Sequence, residues 1–182
     1  MRFQFVCLKW GRKYSSDYVN RLYRMIHRQM NSEFTLYCLT DDCSGLYPEI
    51  SILPIVDQSL TGWWHKLSLF QTDFHGISGD LLFTDLDVVI VGRLEDFFSY
   101  QPGSFLITRD KRTGAYNSSV FRFRVGSQCQ IWESFQEHSE LVLKEYYGDQ
   151  DWITKTVKDA VLWPEGWVVS FKRECHARIP HS

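Results

Sequence analysis

The stretch that decides the reading is Leu81-Leu82-Phe83-Thr84-Asp85-Leu86-Asp87-Val88-Val89-Ile90-Val91. Leu81–Phe83 is a short apolar run behind Gly79, which predicts a buried strand. Thr84-Asp85-Leu86-Asp87 follows at its mouth, and Val88–Val91 forms a second apolar run. In extended chain, residues i and i+2 point to the same side, so the two carboxylates are expected to face one way. A bare carboxylate pair repels itself unless a cation is shared. Mg²⁺ or Mn²⁺ suits such a pair, because both prefer oxygen ligands and bridge to substrate phosphates. The competing reading is a solvated acidic turn. With 13 Asp in 182 residues, chance gives about 0.9 Asp-x-Asp pairs, and Asp149/Asp151 is a second one. Only the first follows a wholly apolar run.

Working outward, Phe3–Leu8 reads as a first strand. Ser15 or Ser16 caps a helix with Asp17 in its first turn, where negative charge suits the helix dipole. Tyr18, Leu22, Met25, Ile26 and Met30 then recur on one helical face. Phe34–Leu39 is a strand ending in Thr40-Asp41-Asp42, and Ile50–Val56 is a third apolar run. Trp63, Trp64, Leu67, Phe70 and Phe74 have helical spacing. Beyond the acidic pair, Phe105–Thr108 and Ser119–Val125 read as strands. In the latter, Phe121, Phe123 and Val125 alternate with Arg122 and Arg124, which predicts one apolar and one charged face. Helices are expected over Gln130–His138, Glu140–Tyr146 and Asp151–Lys158, and a last strand over Val168–Phe171.

Strands alternating with helical stretches predict an α/β sandwich with a mostly parallel central sheet. Ligands of such sheets bind outside the carboxyl ends of the strands, which selects Lys9–Tyr14, Thr40–Cys43 and Thr84–Asp87. The length suits a single domain over 1–182. A chain of this size buries roughly 70% of its unfolded surface without staples. Aromatics are 16% of residues, which excludes a disordered chain. Twenty basic against 22 acidic residues leave a net charge of −2, without the basic excess that nucleic-acid binding needs. No run of about 18 apolar residues predicts a membrane span. Cys7, Cys38, Cys43, Cys129 and Cys175 are odd in number and form no CxxC. They read as buried free thiols of a cytoplasmic protein. No glycine phosphate loop, GxSxG or HExxH is present.

Phe83-Thr84-Asp85-Leu86-Asp87-Val88-Val89-Ile90 resembles the h-h-D-x-D-h-h-h signature of GT-A-fold (Rossmann-like) glycosyltransferases. The order of the remaining segments resembles the retaining glycosyltransferase family 8 and related bacterial enzymes. Those segments are Lys66-Leu67 ahead of the acidic strand, then Asn117-Ser118-Ser119, Asp149-Gln150-Asp151 and Trp163-Pro164-Glu165-Gly166-Trp167. The resemblance implies that Asp85 and Asp87 hold Mn²⁺ or Mg²⁺ against the diphosphate of a nucleotide-sugar donor. It implies donor contacts from Lys66, Trp10, Tyr14, Asp41, Asp85 and Asn117, and catalytic roles beside the anomeric carbon for Asp149 and Gln150. The residues also allow plainer readings. Lys66 suits an exposed helix lysine, Trp10 and Tyr14 suit core packing, Asp41 suits a turn, and Asp149 or Asp151 suits a helix N-cap.

The resemblance therefore implies a metal-dependent transfer of a hexose from a UDP-sugar to the hydroxyl of a glycan, lipid or protein acceptor, with retention of configuration. One family feature is missing. An HxxGxxKP-like segment that supplies a closing histidine does not occur, and His176 and His181 are the late histidines. The chain thus reads as a domain that is C-terminally truncated or that closes its site with water or a partner, and the alternative to a competent transferase is a nucleotide-sugar-binding pseudo-transferase. A phosphohydrolase using Asp85 as nucleophile fits less well, since that motif normally lies near the N-terminus.

Overall fold

The computed structural model describes residues 2–175; the Cys175 side chain, His176 and His181 lie outside that description. Strand β1 (Phe3–Lys9) leads into helix α1 (Ser16–Gln29), then β2 (Phe34–Thr40) and β3 (Ser51–Pro54). A 3₁₀ helix (Gly62–Phe70) precedes β4 (Asp80–Thr84). Helix α2 (Glu95–Ser99), β5 (Leu106–Arg109) and β6 (Tyr116–Arg124) follow. Helices α3 (Cys129–Glu137), α4 (Ser139–Glu145) and α5 (Asp149–Thr156) and strand β7 (Val161–Leu162) complete the sheet-bearing part, ahead of a π turn at Phe171–Cys175.

The seven strands lie in the order β3-β2-β1-β4-β6-β5-β7. The pairs β1–β2, β1–β4, β2–β3 and β5–β7 are parallel, while β6 runs against both β4 and β5. The α/β sandwich with a mostly parallel sheet is therefore what forms. Parallel strands covered on both faces read as continuous apolar runs, and Phe5, Val6 and Cys7 are wholly buried. Val6, Leu39, Leu81, Phe83, Phe121 and Phe123 join the face covered by the 3₁₀ helix, α3 and α5. Phe5, Cys7, Leu36, Cys38 and Leu82 join the opposite face, where Val19, Leu22, Met25 and Ile26 of α1 pack.

Three expectations are corrected. Arg122 does not face solvent: it is wholly buried, because β6 is an interior strand. Its guanidinium donates to the carbonyls of Phe97 (2.6 Å), Phe98 (2.9 Å) and Gln101 (2.6 Å) around the end of α2. Val168–Phe171 forms no strand, since the β5 edge is taken by Val161–Leu162. The second apolar run, Val88–Val91, for which no element is expected, lies outside the sheet, with Ile90 buried and Val89 and Val91 exposed. Of the thiols, Cys7 and Cys38 are buried, but Cys43 is exposed and Cys129 only partly covered. No helix among the described residues is long and apolar enough to cross a membrane.

Candidate functional site

The site is assembled at the carboxyl ends of β1, β2 and β4. Asp85 continues the β4 ladder, its N–H donating to the Ser119 carbonyl at 2.8 Å. It stands two residues after Phe83, on the face that the 3₁₀ helix covers. Lys66 reaches it from that helix. Its Nζ lies 3.1 Å from Asp85 Oδ1, 3.4 Å from Asp149 Oδ2 and 4.8 Å from the Phe83 ring centroid. Lys66 also donates to the carbonyl (3.2 Å) and hydroxyl (3.3 Å) of Ser118. Ser118 in turn donates to Asp149 Oδ2 at 2.6 Å, a short charge-assisted bond. Lys66, Ser118 and Asp149 are all buried, 3–4% exposed, so the exposed-lysine reading of Lys66 is overturned.

Burial alone would depress the Lys66 ammonium, but the carboxylates of Asp85 and Asp149 outweigh it and hold the lysine above its ordinary pKa. Burial pushes the Asp85 carboxyl up, and Lys66 offsets part of that shift. A buried ion pair of this kind is weak evidence for stability, because desolvation opposes the Coulomb gain. Its placement beside the strand ends makes it a candidate functional site.

Asp87 follows in the next turn of the chain. The chain leaves the extended conformation at Leu86, whose side chain is buried, so strand alternation no longer relates the two aspartates, yet both carboxylates act on Tyr14. Exposed Asp87 accepts the Tyr14 hydroxyl at 3.0 Å. Burial, then Asp87, pushes Tyr14 up to about 12, which keeps it a neutral donor. Tyr14 lies half-buried and packs edge-on against Tyr18 at 4.9 Å.

Beyond β1 and β2, the Gly11 N–H donates to both carboxylate oxygens of Asp41, at 3.2 and 3.1 Å. Gly11 has φ +62°, a left-handed value that suits glycine in this turn. Trp10 is 37% exposed and rests on the His65 ring, with centroids 5.6 Å apart. Asn117 turns to its own chain, its Oδ1 accepting the Ser119 N–H at 3.1 Å. Gln150 lies half-buried in the first turn of α5, its carbonyl accepting the Thr154 hydroxyl at 2.7 Å. The N-cap reading of Asp149 also fails, since Gly148 holds the cap position without a side-chain bond and Asp149 faces Lys66.

Sequence reasoning missed Ser118, Lys9 and His65 as individual residues. Lys9 is 4% exposed and its Nζ donates to the Asp42 carbonyl at 2.9 Å. His65 is 2% exposed, and its Nε2 is buried without a hydrogen-bond partner. Ser118 lay inside Asn-Ser-Ser and Lys9 opened the selected stretch Lys9–Tyr14, whereas His65 stood in no marked segment. Among the described residues, no group of three or more His, Cys, Asp or Glu is gathered to hold a metal ion.

No protein-family model matches the chain, and no curated protein matches it in sequence. Solved structures do match. The galactosyltransferase LgtC, in complex with donor and acceptor sugar analogues, superposes with a TM-score of 0.66 at 12% identity, over 88% of this chain and 73% of LgtC. An active-site mutant of LgtC gives 0.63 at 11% identity, over 88% and 72%. The glycosyltransferase GlyE of Streptococcus pneumoniae gives 0.62 at 16% identity, over 89% of this chain but 45% of GlyE, so the chain spans less than half of that protein. The turn around Asp85 and Asp87 thus sits in the architecture its sequence implies: the chain has the GT-A-like fold of these glycosyltransferases.

Proposed function

We propose that the protein is a glycosyltransferase that moves a hexose from a nucleotide-sugar, a UDP-sugar, to an acceptor hydroxyl, with retention of configuration. The observation that carries this is the meeting of Lys66, Asp85 and Asp149, with Asp87 on the next turn, at the carboxyl ends of the parallel strands. One ammonium there faces two carboxylates, with a third nearby, which leaves an excess of negative charge. Asp85 and Asp87 would hold Mn²⁺ or Mg²⁺. Two carboxylates suit these ions, which commonly take one or two protein carboxylates and complete their shell with water and substrate phosphates. Bound there, the cation supplies Lewis-acid stabilisation to the departing diphosphate.

The remaining work falls to the chain's own residues. Lys66 offers a second positive charge beside the same carboxylates. Trp10 presents a partly open ring to the base, and Asp41 keeps acceptor capacity beyond its bonds to Gly11. Tyr14, neutral, orients Asp87. Asp149, fixed by Ser118 and Lys66, and Gln150 after it line the sugar's position. Asn117 stands on the same rim, at the start of β6.

The test is thermal melting with UDP, UDP-glucose and UDP-galactose, each with and without Mn²⁺, on the wild type and on Asp87→Asn. A ligand that binds only the folded state raises the melting temperature. The expected result is a UDP shift that needs Mn²⁺ and is lost in Asp87→Asn. No metal-dependent shift sinks the donor-site reading. A shift without sugar release or transfer marks a nucleotide-sugar-binding protein instead, and NMR of the anomeric proton reads the stereochemistry.

A further inference from the structure

Two aromatic rings stand in solvent beside the charged cluster. Tyr147 is 84% exposed and Trp63 is 44% exposed. Their centroids are 5.8 Å apart and their planes differ by 30°, so they form a shallow, nearly continuous surface. Both are tied to the site by short stretches of backbone. Trp63 lies three residues before Lys66 in the 3₁₀ helix, where residues i and i+3 eclipse. The indole and the ammonium therefore leave that helix on the same side. Tyr147 lies two residues before Asp149, which contacts the same ammonium. Gly148 joins them, and a Cβ there would stand 2.8 Å from Trp63 Nε1. The bare backbone at Gly148 lets the indole lie close against the start of α5.

Large exposed rings cost hydrophobic free energy, and contiguous ones mark binding surfaces. The chemistry of this surface selects its occupant. A pyranose offers a flat face of C–H bonds, which stacks on aromatic rings, and a rim of hydroxyls. Trp and Tyr match it by joining an apolar ring to one polar atom. An acyl chain wants an enclosed apolar groove, and an extended peptide wants a free strand edge or side-chain pockets. We infer that Trp63 and Tyr147 form a platform for a pyranose ring of the acceptor, so that the acceptor is a glycan rather than a lipid or a protein. This rests on the transferase reading given above.

The experiment is a ¹H–¹⁵N titration of the intact protein, with the Trp63 indole N–H assigned by its loss in Trp63→Phe. Lactose, maltose and cellobiose are added at millimolar concentration, and short-chain phosphocholine micelles and a Ser/Thr-rich peptide serve as the other acceptor classes. The expected result is a saturable shift of the Trp63 signal with at least one disaccharide, weakened about tenfold or more in Tyr147→Ala. The melting temperature of Tyr147→Ala stays that of the wild type, because the ring is exposed. No shift with any of the three sugars, an undiminished shift in Tyr147→Ala, or a response to micelles or peptide alone overturns the platform. UDP with Mn²⁺ is titrated in parallel. A nucleotide response without a sugar response removes the platform alone, whereas a sugar response without a nucleotide response removes the transferase reading and leaves a saccharide-binding surface.

Discussion

Lys66 lies 3.4 Å from Asp149, and this contact fastens the 3₁₀ helix to the first turn of α5 across the open end of the sheet. The lysine is the sole ammonium facing Asp85 and Asp149 among the described ion pairs. Lys66→Met keeps much of the side chain's volume but leaves both carboxylates without their counter-charge. Breaking a buried pair by removing one partner typically costs about 3–5 kcal/mol. Partial exposure of Asp85 places the expected loss near the lower end, about 3 kcal/mol in urea unfolding. Asp149→Asn in the Lys66→Met background should restore part of that loss; strictly additive effects would show that the two residues act independently.

His65 gives the stability a pH dependence of known sign. Burial holds its imidazole below the ordinary 6.5, while Asp57, Asp41 and the Leu60 backbone act against that shift. Below about pH 6.5 the unfolded chain takes up a proton that folded His65 does not. Stability is therefore complete above that pH and falls as pH drops toward the folded value. Melting curves from pH 7.5 to pH 5 should show His65→Phe losing less stability than the wild type. Parallel curves for the two proteins would refute the assignment.

Arg122 holds the carbonyls of Phe97, Phe98 and Gln101, which otherwise lack these donors at the end of α2. Arg122→Met should destabilise by about 3 kcal/mol, given about 1–3 kcal/mol per orphaned buried polar group and partial relaxation. For a chain of this length that corresponds to roughly 6–12 °C in melting temperature. Arg122→Lys should rescue little, because a point ammonium does not reproduce the planar fork.

Gly148→Ala separates the aromatic surface from the fold. The backbone at Gly148 is extended, with φ −168°, so alanine meets no conformational barrier. The new methyl instead meets the Trp63 indole, which is half open to solvent and free to swing. The expected outcome is a stability change under about 1 kcal/mol, together with loss of the disaccharide response at the Trp63 indole.

Much of this was legible in the sequence, for identifiable reasons. The apolar run of β4 stops at a polar residue where the strand reaches the rim, so Thr84-Asp85 is both a sequence boundary and part of the candidate site. Lys66 was singled out by the family resemblance; the Trp63, Trp64, Leu67 and Phe70 spacing placed its helix but left the lysine readable as exposed. Arg122 was misread because two-residue alternation looks the same on a solvent face and on an inner face where arginine is satisfied by carbonyls. Val168–Phe171 has strand composition, but composition does not say whether an edge is vacant. The turn at Leu86 between Asp85 and Asp87 was not legible, since spacing alone does not encode it. His65 carried no pattern, because a single ring nitrogen becomes informative only when its partners can be counted.

The reversed direction of β6 has a consequence for how this rim can change over evolutionary time. Parallel strands deliver their last residues to the rim, and each is followed by a crossover the fold depends on. Strand β6 instead enters at the rim, so the β5–β6 hairpin, Asp110–Ala115, has its tip there and bears no load in the sheet. It is fastened to the later chain by surface ion pairs, Lys111 to Glu165 and Glu174, and Arg173 to Asp110. That hairpin is the stretch of rim whose length can be rewritten while Ser118 and Asp149 keep their places.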